Sequence, residues 1–187
     1  MITNLGDLYK FNQLALEQAS ISRDTVRTNI HNVDINSIVL QGKRKYPYRG
    51  FLQIQPNPQV PAFLMFCNND DMVVLHFLWA GSVGWESTSL KIWTYLCSNT
   101  KNTVLDIGAF SGVYSLIAHK LGIKDIIAFE PGRMPSIRLI ENLNVNSISN
   151  VKVVAKAVSY YKSTGRFGLA RERQKSSSAG HLSDEHA

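Results

Sequence analysis

The sequence has no apolar run approaching the roughly 18 to 20 residues of a membrane-spanning helix. Its start, MITNLGDLYKFNQ, lacks the basic segment followed by an apolar stretch that marks a secretory leader. Both absences are read as a cytoplasmic protein with no membrane partner. Cysteine is scarce: Cys67 and Cys97 stand alone in apolar surroundings with no C-x-x-C pair. They are expected as buried free thiols, with neither a disulfide nor a metal role. Charge is limited too, at 18% of residues and a net of +6. With 44% hydrophobic residues in 187, the chain has enough apolar material for one domain with a core.

Two clusters carry much of the positive charge, GKRKYPYR at 42–49 and RERQK at 171–175. Interleaved with tyrosines, the first is read as a solvated loop, with phosphate or RNA contact as the alternative. A nucleic-acid partner is not the expectation.

From Asn4 to Gln18 the apolar spacing is loosely helical. Between Ile21 and Pro61 the residues are mixed, and Pro47, Pro56, Pro58 and Pro61 favour extended or turning backbone. PAFLMFCNNDDMVVLHFLW has two apolar runs around Asn68 to Asp71, which predicts a β-hairpin with His76 in its second strand. GSVGWESTSLKIWTYLCSN then reads as a helix.

A regular alternation starts at Thr103. TVLDI is a short strand, GVYSLIAHKLG a helix stopped at Gly122, and DIIAFE a second strand. PSIRLIENLNVN is a helix with Pro135 in its first turn and Ile137, Ile140 and Leu143 inward. VKVVAKAVS is a third strand, and GRFGLA a further hairpin-like one. Such alternation predicts an α/β fold with a parallel sheet. The chain is divided into an N-terminal helix, proline-rich lead-in and β-hairpin over 1–83, a cofactor-binding core over 84–170, and a polar tail over 171–187.

The chemistry concentrates in VLDIGAFSG, Val104 to Gly112. A strand, a glycine turn and a helix start form a nucleotide site because backbone N–H groups and the helix dipole point at the ligand. A P-loop would end in Gly-Lys-Ser or Gly-Lys-Thr, but Gly112 is followed by Val113 and Tyr114. A dinucleotide loop would need a third glycine between Gly108 and Gly112. Asp106 at the strand end would repel a pyrophosphate and suits a cation. S-adenosylmethionine, with an ammonium, a sulfonium and no phosphate, fits that charge. Gly108 would allow close approach to the ligand, and Gly112 a helix start tight against the strand. Glu130, at the tip of the next strand and 24 residues on, is placed to grip two ribose hydroxyls.

Taken together, VLDIGAFSGVYSLIAHKLG, IIAFEP and IRLIENLNVNSISNVKVVAKAVSYYKSTGRFGL resemble the FkbM family of S-adenosylmethionine-dependent methyltransferases, of the Rossmann-like class. The resemblance covers about residues 84 to 180. It implies cofactor contacts for Asp106, Gly108, Ala109 and Gly112 in the first motif, and for Glu130 and Pro131 after the second strand. Ala157 and Val158, closing the third strand, would lie along the adenine. Glu86 in GWES would approach the methionine end, with a helix-cap role as the alternative. Asn142 and Asn146 match a pattern read as structural. Where the family has Asn in its loop this chain has Phe110 and Ser111, so Ser111 or backbone groups would bind in its place.

The family's next strand, carrying a segment of the type K-I-D-x-E-G, has no counterpart after Gly168. The fold is therefore expected to stop about halfway, leaving VLDI at a sheet edge. Truncation, cover by the N-terminal hairpin, or cover by a second copy would each account for it. The resemblance implies O-methylation of a hydroxyl on a small molecule or saccharide. No catalytic base is assigned, and neither His119 nor His181 is a strong candidate. The alternatives are a non-catalytic cofactor-binding or interaction domain and, less favoured, an RNA methyltransferase.

Overall fold

The computed structural model describes residues 5–160, 166–169 and 180–183. An N-terminal layer consists of α1 (Leu5–Thr28), α2 (Ile35–Lys45), the strands β1 (Arg49–Ile54) and β2 (Phe63–Asn68), and α3 (Met72–Ala80). A second helix-flanked unit follows: α4 (Ser87–Ser98), β3 (Val104–Ile107), α5 (Val113–Lys120), β4 (Ile126–Phe129), α6 (Arg133–Val145) and β5 (Val151–Val154). Strands β3, β4 and β5 form a parallel sheet in that order, with Asp106 level with Ala128 and Val153. This is the expected α/β, Rossmann-like arrangement.

Helix α1 runs ten residues beyond Gln18. No proline or glycine interrupts that span, and small residues, Ala15 and Ala19, carry its buried face where larger side chains would have shown a stronger period. Helix α2 starts at Asp34, whose carboxylate accepts the backbone N–H groups of Asn36 and Ser37. Part of the basic cluster, Lys43 to Lys45, forms its last turn, where cations complement the helix dipole.

The extension does contain a hairpin, but of different strands from those expected. Strand β2 pairs antiparallel with β1, Phe66 opposite Phe51, while MVVLHFLWA is helix α3, capped by Asp71 through Val74 N–H at 3.2 Å. Every residue from Val73 to Ala80 is buried, and a segment apolar on all sides carries no period to separate helix from strand. His76 is thus a buried helix residue, its Nδ1 2.7 Å from the Met72 carbonyl. Arg23 and Ser22 of α1 donate to the Leu78 and Trp79 carbonyls at the far end of α3.

Helix α6 is rotated from its expected setting. Leu139 and Leu143 face inward as Ser136 and Asn142 do, whereas Ile137 and Ile140 are exposed. Asn142 and Asn146 cause this rotation. Asn146 Oδ1 accepts Leu64 N–H at 2.9 Å and its Nδ2 donates to the Leu64 carbonyl at 2.7 Å; Asn142 Oδ1 accepts Phe66 N–H at 2.8 Å. These amides satisfy the free edge of β2 as another strand would, and buried backbone groups require such partners. The larger of two core clusters runs from Ala15, Val39 and Leu75 through Met65 to Leu116, Ala128 and Leu139, and a smaller one joins Cys97, Val104, Ala118, Ile123 and Ile126.

Among the described residues no element covers one face of the parallel sheet. Leu105 and Ile107 are half exposed on it, and Ile127 and Phe129 lie level with them. Among the described residues β3 is also a sheet edge, and β1 and β2 form a sheet of their own. The N-terminal hairpin therefore does not cover β3. Strand β6 (Arg166–Leu169) pairs antiparallel with β7 (Gly180–Ser183), so the segment after Gly168, expected to hold no strand, supplies one. The remainder of the 171–187 tail lies outside the described residues. Cys67 and Cys97 are buried free thiols, and burial raises the Cys97 thiol to about 11. No helix among the described residues is long and apolar enough to cross a membrane.

Candidate functional site

The site forms where β3 and β4 end, because parallel strands deliver their following loops to the same end of the sheet. Gly108 and Ala109 both donate their N–H to the Phe129 carbonyl at 2.9 Å, and Gly112 N–H closes the turn on Ala109 at 2.8 Å. Gly108, Phe110 and Gly112 all have positive φ, at 82°, 50° and 97°. A side chain on Gly112 would place its Cβ 2.3 Å from Leu139 Cδ1, so glycine is required for α5 to start against α6. Around Gly108 nothing lies within 4 Å of such a Cβ, which leaves space above the turn.

Asp106 is on the covered face of β3 with 7% exposure. Its Oδ2 accepts the Ser115 hydroxyl at 2.6 Å. Burial pushes this carboxyl above the usual carboxylate range; Ser115 opposes the rise and the Glu130 charge adds to it. Glu130, equally buried, accepts Phe110 N–H on Oε2 at 2.8 Å and Gly132 N–H on Oε1 at 2.7 Å. It thereby ties the glycine loop to the start of α6. A Cβ on Gly132 would come 2.8 Å from Oε1, so this position too favours glycine.

Two acids at adjacent strand tips thus repel one another in a desolvated setting. Among the described residues the ion pairs are Arg27 with Asp24 and Arg138 with Asp70 and Glu141. None reaches Asp106, Glu130 or Glu86. No group of metal-ligating side chains occurs among the described residues.

The structure gathers Asp106, Gly108, Ala109, Gly112, Glu130 and Pro131 at this end of the sheet. Glu86 joins them indirectly, since its Oε2 accepts the Tyr114 hydroxyl at 2.5 Å. It does not cap α4 with its side chain. Ser111 is placed otherwise than the loop-binding role requires. It is 1% exposed and lies by the Asp71 carboxyl, whose pKa burial raises while the Ser111 hydroxyl opposes the rise. Neither Ser111 Oγ nor Asp71 Oδ2 completes a hydrogen bond. Ala157 and Val158 are exposed in the chain after β5, which ends at Val154, three residues before Ala157. They do not close the third strand. His119, near the end of α5, is held by Asn150.

Sequence reasoning missed Tyr114, Ser115 and the bridging role of Asn142, whose Nδ2 donates to the Ser111 carbonyl at 2.8 Å. A hydroxyl in the first turn of the helix after a glycine loop was the available signal for Ser115. Asn142 joins that loop to β2, so the N-terminal layer buttresses the site.

The fold and the site define a Rossmann-like unit with a glycine turn flanked by two buried acids. No family model and no curated protein matches the chain. Parts of several solved methyltransferases resemble it. One is a SAM-dependent methyltransferase from Agrobacterium tumefaciens, 13% identical over 60% of this chain and 34% of its own, with TM-score 0.43. Another is the ribosomal protein L11 methylase of Lactobacillus delbrueckii subsp. bulgaricus, 24% identical over 40% of each chain, TM-score 0.34. A third is the Pyrococcus abyssi tRNA (uracil-54, C5)-methyltransferase in complex with S-adenosyl-L-homocysteine, 11% identical over 60% of this chain and 24% of its own, TM-score 0.41. The chain spans 24 to 40% of these structures' lengths. Likenesses this slight carry no argument, and the functional reading rests on the site.

Proposed function

We propose that the chain binds S-adenosylmethionine at the ends of β3 and β4, and that it serves methyl transfer to a hydroxyl of a small molecule or saccharide, as the resemblance to the FkbM family implies. The observation that carries this reading is the pair of buried acids, Asp106 and Glu130, with no cation paired to either among the described residues. A cationic, phosphate-free ligand relieves their repulsion, whereas a pyrophosphate would add to it. The space above Gly108 admits a ligand close to the backbone. Each Glu130 oxygen accepts one backbone N–H and retains a lone pair for a ribose hydroxyl.

Bound there, the cofactor supplies an electrophilic methyl group. The chain's residues contribute placement: Asp106 and Glu86 attract the amino-acid end, Glu130 fixes the ribose, and the loop sets the depth of the nucleoside. Catalysis of this kind rests on proximity and in-line orientation of the acceptor oxygen. The test is release of S-adenosylhomocysteine when the chain is incubated with S-adenosylmethionine and a panel of sugars and small alcohols. Release with a hydroxyl acceptor supports the reading. Cofactor binding without release from any acceptor favours the second reading, a non-catalytic binding domain. The exposed face and edge of β3 favour that alternative, because among the described residues no further strand or helix packs there to complete the sheet.

A further inference from the structure

Glu86 occupies an unusual position. At φ 37° and ψ 43° it is left-handed, a conformation that non-glycine residues rarely adopt. It stands where a helix cap belongs, yet its side chain makes no capping bond. The backbone leading to it is fixed. A Cβ on Gly84 would lie 2.3 Å from the His76 carbonyl, and the Trp85 ring meets His76 edge-on at 5.3 Å. The carboxylate is turned instead to Tyr114, the second residue of α5 and two positions beyond Gly112.

Tyr114 is itself held in place. Trp93 Nε1 donates to its carbonyl at 3.0 Å, and the two rings meet edge-on at 5.5 Å. Burial and then the Glu86 carboxylate disfavour loss of its proton, Ser89 opposes them and the Asp106 charge adds a little, so on balance the hydroxyl remains a donor. The hydrogen bond sets the exposed Glu86 carboxylate against the first turn of α5, just beyond the glycine loop. A tyrosine hydroxyl kept protonated is a poor base and a good fixed donor.

We propose that Tyr114 is a positioning residue: its hydroxyl holds the Glu86 carboxylate beside the glycine loop, where that carboxylate receives the α-ammonium of the cofactor's amino-acid end. The inference rests on the cofactor reading above and adds a division of labour to it. Asp106 and Glu130 sit at the strand tips, and the Tyr114–Glu86 pair brings the start of α4 to the same ligand. With its backbone left-handed, Glu86 turns its side chain to Tyr114 and makes no bond to its own helix.

The test is calorimetric titration of the 187-residue chain with two ligands, S-adenosylhomocysteine and 5′-methylthioadenosine, which shares the nucleoside and thioether but lacks the amino-acid end. Tyr114→Phe keeps the ring against Trp93 and removes only the hydroxyl. It is expected to weaken S-adenosylhomocysteine about tenfold and leave methylthioadenosine unchanged. Glu86→Gln, which keeps an acceptor and loses the charge, is expected to do the same, with the double variant no worse than Glu86→Gln alone. Equal weakening of both ligands by Tyr114→Phe, or no change in either, overturns the positioning role and leaves the cofactor reading standing. A parent chain that binds neither ligand overturns both.

Discussion

Ser115 donates its hydroxyl to Asp106 Oδ2 at 2.6 Å across the junction of β3 and α5, beneath the glycine loop. It is a neutral partner for a buried acid, so it satisfies one oxygen without cancelling the charge. The electrostatic cost that remains in the ligand-free fold is what a cationic ligand would relieve.

Asp106→Asn should therefore stabilise the free protein and weaken its ligand. Burial raises the folded pKa of Asp106 above its unfolded value of about 3.9. An acid raised in this way binds more protons folded than unfolded, so stability falls as pH rises through the folded value. The penalty is absent below the unfolded pKa and grows as pH rises from there through the folded pKa. The variant should melt about 2 °C or more above the parent at pH 7 and show no gain near pH 3.5, read by differential scanning calorimetry.

Gly108 and Gly112 should part company when each is replaced by alanine. Gly112→Ala combines a left-handed backbone with a Cβ 2.3 Å from Leu139, and should cost about 2–4 kcal/mol in urea denaturation. Gly108→Ala meets no protein atom within 4 Å and should cost only about 1 kcal/mol for its backbone. Its methyl group would enter the space above the turn, so ligand binding should fall more than stability does.

Asn142→Ala should destabilise the whole fold by about 2–4 kcal/mol, because it leaves the Phe66 N–H and the Ser111 carbonyl unpaired in a buried setting. Urea denaturation followed by far-ultraviolet circular dichroism checks this. Asn146→Ala should cost less, since Asn146 is only half buried, although it bonds Leu64 twice.

Glu130→Gln should loosen the loop. A glutamine offers one acceptor oxygen where the carboxylate serves Phe110 N–H and Gly132 N–H separately. Amide exchange at Phe110 or Gly132 should accelerate at least about tenfold if one of these bonds is lost, measured by nuclear magnetic resonance.

The order of β3, α5, β4, α6 and β5 was legible in the sequence because short apolar strands alternate there with amphipathic helices, the first of them stopped by Gly122. The paired acids were legible because charge at a strand tip stands out in an apolar run. Helix α3 was not, since MVVLHFLWA is buried on every side and has no polar face to set a period. The rotation of α6 was hidden because its inward amides serve a strand some 76 positions earlier, a pairing invisible to local pattern. Ser111 misled for a similar reason: the Asp71 cap lies beneath the loop, and only the fold brings the two near.

The most direct measurement is calorimetric titration of the chain with S-adenosylmethionine and, separately, with NAD, repeated on Asp106→Asn. The account predicts one-to-one binding of S-adenosylmethionine, none of NAD, and loss of at least about tenfold in affinity when the Asp106 charge is removed. Binding of NAD in preference to S-adenosylmethionine, or an affinity indifferent to Asp106→Asn, would contradict it.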